Sequence, residues 1–133
     1  MTTDQPPHPF WTKAEDNLAS ASSEYINGRY NACANRCYYA CFQAAIVALS
    51  AAGIAASANN WGHGFVQAQF AGQLISRRKL YPASERDTLR VLLELRHKAD
   101  YDTAPVTERE ASRAVRRADS FVRAIATRGG SAR

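Results

Sequence analysis

An all-α fold is predicted, an up-and-down helical core with an extra C-terminal helix, five helices in all. Three features of the 133-residue sequence carry it. Only seven glycines and five prolines interrupt an alanine-rich chain, a composition that favours helix. Five segments place apolar residues at helical spacing between start and stop signals. No stretch alternates with the period of two that a half-buried strand needs. At 46% hydrophobic and 22% charged, the chain is too apolar for intrinsic disorder and long enough to bury one core.

Residues 1–9, with Pro6, Pro7 and Pro9, are expected to be a flexible tail, residues 10–128 one helical domain, and residues 129–133 a second tail. Thr12 and Glu15 fit a capping box opening a first helix that runs to about Asn27 and stops at Gly28. The second runs from about Arg29 to Ala52 and ends at Gly53, followed by a small-residue loop to Gly62. The third covers about His63 to Lys79, with Pro82 closing the link behind it. Ser84 and Asp87 start a fourth, to about Tyr101. Thr107 and Glu110 form another capping box, and the fifth helix runs to about Arg128 before Gly129-Gly130.

The second helix is apolar almost all round. Tyr30, Ala34, Cys37, Cys41, Ala45 and Ala48 share one face; Tyr39, Phe42 and Ile46 cover the other. Such a helix is central in a bundle or buried in an oligomer. One polar stripe, Arg29, Arg36 and Gln43, interrupts it at intervals of seven. A charge in apolar surroundings is costly unless paired, so Arg36 is expected to have a carboxylate or phosphate partner.

Charge is uneven. Residues 1–60 sum to −1 and residues 61–133 to +6, a balance in the second part that favours phosphate-bearing partners. The N-terminus lacks the basic and apolar regions of a signal peptide, and the apolar run Tyr38–Ala58 is diluted by Gln43, Ser50, Gly53 and Ser57, so no membrane span is expected. Three cysteines, an odd number, suggest reduced thiols and a cytoplasmic location. Cys33, Cys37 and Cys41 stack at spacing four, which matches no common zinc or iron–sulfur pattern, and are read as core packing. No metal and no cofactor is expected.

Three constellations carry chemistry. On the fourth helix Arg86, Arg90, Glu94, His97 and Tyr101 fall in one polar stripe opposite Val91, Leu92, Leu95 and Ala99. Arg96 and Asp100, at i and i+4, lie on the apolar shoulder beside Leu89 and Leu93. His63, in Trp61-Gly62-His63-Gly64, opens the third helix, either as a capping or structural residue or as an acid, base or phosphate donor. On the fifth helix Ala111, Val115, Ala118, Phe121, Val122 and Ile125 form a core stripe. Arg109, Arg113, Arg116 and Arg123 align on another face, with Arg117 alongside. That face reads as solvated surface or as a polyanion contact.

The run Asn35-Arg36-Cys37-Tyr38-Tyr39-Ala40-Cys41-Phe42, with Ala44-Ala45 behind it, resembles the second-helix signature of small stand-alone HEPN proteins (higher eukaryotes and prokaryotes nucleotide-binding domain). Trp61-Gly62-His63 and then Arg96-His97-Lys98-Ala99-Asp100-Tyr101 recur in the family's order, so the resemblance spans about residues 12–126. It implies a HEPN-type bundle, commonly a homodimer, working on RNA or nucleotides. It also implies, for many members, a metal-independent endoribonuclease of a toxin–antitoxin or defence system, with an antitoxin or a minimal nucleotidyltransferase as partner. The family's catalytic signature is an arginine, four to six intervening residues, and then a histidine. Arg90 and His97, separated by six residues and on one helical face, meet that spacing. Arg96 is the arginine that matches the motif of this branch.

Two functions follow. In a ribonuclease, His97, or alternatively His63, acts as general base on a 2′-hydroxyl while Arg90 or Arg96 stabilises the phosphorane. In a non-catalytic module, Arg36, His63, Arg96, Asp100 and Tyr101, with Arg109, Arg113 and Arg116, bind a nucleotide, RNA or partner; the first five equally fit a buried polar network. A helix-turn-helix DNA reader is disfavoured, because no helix pair shows the short glycine turn followed by a polar recognition helix.

Overall fold

The longest helix, α2 (Tyr30–Ala51), is the axis of the molecule. It buries Cys33, Ala34, Cys37, Tyr38, Ala40, Cys41 and every residue from Ala44 to Leu49, because alanines and cysteines let neighbouring helices approach from several sides. Around it pack α1 (Pro9–Ile26), α4 (Thr88–Tyr101) and α5 (Glu108–Thr127), with α3 (His63–Gln69) against one flank. The computed structural model describes residues 8–128; of the expected tails at 1–9 and 129–133, residues 1–7 and 129–133 lie outside the described residues, while His8 and Pro9 belong to the start of α1. Among the described residues no strand occurs, and the all-α, five-helix bundle is the observed architecture.

Helix α1 corrects the expected start. It begins a turn earlier, at Pro9, and His8 caps it: its Nδ1 accepts from the Phe10 N–H at 3.1 Å. Proline at the first helical position has no hydrogen to leave unpaired, so the cap moves upstream and Thr12 lies inside the helix. Gly28 and Gly53, at φ 74° and 82°, close α1 and α2 in the left-handed region glycine adopts without steric cost. The Thr107–Glu110 capping box is present in both directions.

The third helix is not α-helical throughout. From Phe70 to Arg77 it continues as a π-helix. Bonding from i to i+5 widens the turn, so Phe70, Leu74 and Ile75, spaced by four and then one, all reach the core. A single 3₁₀ turn (Ala83–Glu85) then leads into α4. Glu85 of that turn is buried, at 6% exposure, where the Thr88 hydroxyl donates to Oε1 at 2.7 Å and the Ser120 hydroxyl to Oε2 at 2.7 Å. Arg117 Nε donates to the Thr88 hydroxyl at 3.2 Å, which ties α4 to α5 through polar groups. Elsewhere these two helices diverge and leave a groove of about 580 Å³, floored by Val91, Leu92, Leu95 and Ala114.

Candidate functional site

The polar side chains of α2, α3 and α4 meet at one junction. Tyr38, at 1% exposure, sits in the middle of α2 and points its hydroxyl at the first residue of α3: Oη lies 2.5 Å from Nδ1 of His63. Gly62 is the N-cap of α3, and no side chain caps it; His63 is free to turn toward α2. Its ring rests on an aromatic floor, 4.9 Å from Phe42, 5.4 Å from Tyr38 and 6.3 Å from Tyr39 between centroids. The other side of the ring is exposed.

From α4, Arg96 closes the junction. Its guanidinium lies 5.1 Å from the Tyr39 ring centre and 5.8 Å from that of Tyr38, a double cation–π contact. Nε of Arg96 is 3.4 Å from Asp100 Oδ2, one turn on, yet this buried nitrogen makes no hydrogen bond among the described residues, so the pair is an ion contact only. Burial, then the charges of Arg96 and His97, hold the His63 imidazole below its usual pKa. Burial pushes the Tyr38 phenol up. At neutral pH the pair is therefore a phenol and a neutral imidazole. His97 is exposed, with its ring 6.0 Å from that of Tyr101, itself 78% exposed.

The junction thus brings together His63, Arg96, Asp100, His97 and, at its rim, Tyr101. Other expected residues stand apart. Arg36 corrects the expectation of a buried charge: it is exposed and reaches Asn17 Oδ1 at 3.4 Å, not a carboxylate, because its stripe faces α1, where Asn17 also donates to Gln43 at 2.8 Å. Arg90 is exposed and engaged by two carboxylates, Asp87 at 3.6 Å and Glu94 at 3.1 Å. It lines a shallow groove of about 320 Å³ against Gly64 and Ala68 of α3.

The arginines of α5 form no part of the junction as observed. Arg113 and Arg117 face the opposite flank of α4, across the groove from Leu95 and Lys98. Arg116 donates to the Ser112 hydroxyl at 2.9 Å, Arg123 pairs with Asp119 at 2.7 Å, and Arg109 is exposed. The cysteine ladder is buried core, at 0% exposure for all three thiols. Among the described residues no group of three or more His, Cys, Asp or Glu side chains is placed to hold a metal ion, and no helix is long and apolar enough to cross a membrane.

Sequence reasoning missed Tyr38 as a member of the site, since within its apolar signature it reads as core. The only signal was a phenol on a fully buried face, which needs a polar partner from another element. Glu85 escaped for the converse reason: a carboxylate beside Ser84 and Asp87 reads as surface.

A five-helix bundle around an apolar, cysteine-bearing helix, with an Arg–His pair of α4 facing a histidine at the start of α3, defines the class. A profile of the HEPN domain family matches residues 9–128, and the chain belongs to that family. No curated protein matches the chain in a sequence search.

Proposed function

We propose that this protein binds the phosphate backbone of RNA, or the phosphate of a nucleotide, at the α2–α3–α4 junction. The observation that carries the reading is the placement there of the Arg96 guanidinium and the His97 imidazole close enough for their charges to act on His63, beside the single carboxylate of Asp100. The family is linked to ribonuclease and nucleotide-binding roles, which fits such a ligand. The exposed ring of Tyr101 beside His97 offers a surface on which a base stacks.

A metal-independent endoribonuclease is the second reading, favoured by one observation: His97 and Arg90 share the exposed face of α4. His97 would take the proton of a 2′-hydroxyl, and Arg90, released from its solvent-screened carboxylate partners, would meet the charge developing on the phosphorane. A homodimer, a toxin–antitoxin setting and a nucleotidyltransferase partner belong to this reading through the family resemblance.

A labelled single-stranded oligoribonucleotide tests both. Fluorescence anisotropy is expected to show binding that weakens steeply between about 50 and about 200 mM salt, and more weakly in His97→Ala and Arg96→Ala. Salt-independent binding, or none, removes the phosphate reading. Cutting of the same RNA in EDTA by the wild type and not by His97→Ala supports the nuclease; intact RNA throughout leaves a binding module.

A further inference from the structure

The bond between Tyr38 and His63 has a direction that the surroundings determine. The phenol is buried, and among the described residues His63 Nδ1 is the one polar group its oxygen meets. If Nδ1 carried the hydrogen, the hydroxyl would accept that bond, and its own hydrogen would have no acceptor among the described residues. A buried O–H left without an acceptor is expensive, whereas a hydroxyl that donates to Nδ1 leaves nothing unpaired but an oxygen lone pair. Nε2 of the exposed imidazole makes no hydrogen bond among the described residues.

We infer that Tyr38 is a positioning residue that donates its hydroxyl hydrogen to Nδ1 of His63, so that the neutral imidazole carries its hydrogen on Nε2 and presents it, away from the bundle, to a phosphate oxygen. This deepens the proposed phosphate site and rests on it for the ligand, but the tautomer belongs to the free protein. His63 is then a hydrogen-bond donor and not the base of any cleavage, which leaves His97 alone in that role. Every group facing the ring keeps it in this form. Tyr38, Tyr39 and Phe42 of α2 strip it of water, and the charges of Arg96 and His97 from α4 oppose a second hydrogen on Nδ1.

Histidine-selective ¹⁵N NMR of the full chain, without ligand, reads the tautomer directly. At neutral pH His63 is expected to show a protonated Nε2 and an unprotonated Nδ1, and Tyr38→Phe is expected to convert it to a mixture. A wild-type His63 with its hydrogen on Nδ1, or a tautomer unchanged in a folded Tyr38→Phe, overturns the inference; the wild-type measurement decides even if that variant fails to fold. The donor role has its own readout in anisotropy with the single-stranded oligoribonucleotide. His63→Gln, whose amide nitrogen reaches the Nε2 position, is expected to bind within about threefold of wild type, and His63→Asn, which stops at the Nδ1 position, to lose about tenfold, as His63→Ala does. Equal losses in all three overturn the donor role. Absence of RNA binding by the wild type overturns the phosphate site and leaves the tautomer to the NMR result.

Discussion

The guanidinium carbon of Arg96 lies 5.1 Å from the centre of the Tyr39 ring, which fixes a cation of α4 on the aromatic surface of α2. The same charge faces His63 and lowers its pKa. Arg96 thus joins packing to electrostatics: its aromatic contacts hold two helices together, and its charge adds to burial in holding a third helix's imidazole below its usual pKa.

Arg96→Ala is expected to cost about 1–2 kcal/mol of stability through the lost cation–π contacts, seen as a lower urea midpoint. In the same variant the His63 pKa should rise, since a positive neighbour that opposed the imidazolium is gone. A ¹H NMR titration of the His63 ring measures it; an unmoved pKa would mean that the two side chains are uncoupled.

Stability should fall on mild acidification. The His63 pKa is lowered in the folded protein from an ordinary value of 6.5, so the unfolded chain binds the proton first. The contribution is fully present above that ordinary value and is lost as pH falls toward the folded pKa. His8, half-buried at the α1 cap, is lowered by burial and acts in the same direction. Between about pH 7.5 and about pH 5.5 the wild type should therefore lose more Tm than His63→Gln, and parallel losses would exclude His63 as a contributor.

Glu85→Ala should be among the costly single substitutions, at about 1–3 kcal/mol in urea denaturation, because it strands the buried Thr88 hydroxyl and unties the Ser120 hydroxyl of α5. Replacing Thr88 by valine removes one partner and should cost about 1–2 kcal/mol. RNA affinity should not change in either variant. A near-neutral Glu85→Ala would mean that this carboxylate contributes little to the α4–α5 tie.

Arg90 and Arg113 sit on opposite flanks of α4, so they separate the two arginine surfaces. Arg90→Ala should change stability by less than about 0.5 kcal/mol, its ion pairs being solvent-exposed, while lowering RNA affinity and reducing the salt slope by about one. Arg113→Ala should leave both at wild-type values. The reverse pattern would move the RNA to the α5 face.

Much of the fold was legible because helix signals are local. The Thr107–Glu110 box spans four residues and closes as expected, Gly28 and Gly53 stop their helices at positive φ, and α2, apolar on every side, could only be central. His8 was less legible, since a histidine cap lacks the serine, threonine or aspartate that marks a start. The π-helix over Phe70–Arg77 was illegible, because its register follows from which residues the core accepts and not from any breaker. At the site, the spacing of Arg90, His97, Arg96 and Asp100 along α4 was open to reading. The exposure of Arg36 was not: its stripe is polar in the sequence, and only the position of α1 places Asn17 and solvent against it.

By itself, then, the sequence determined the all-α class, the central helix and the residues of each helical face, since these depend on contacts three or four positions apart. Tertiary structure alone decided that Tyr38 meets His63, that Arg96 covers both tyrosines, and that Glu85 is buried beside Ser120. Those pairs are separated by 25 or more positions, from Tyr38 to His63 onward. They exist because the angle and register between packed helices bring them together, and helix-local patterning does not encode that geometry.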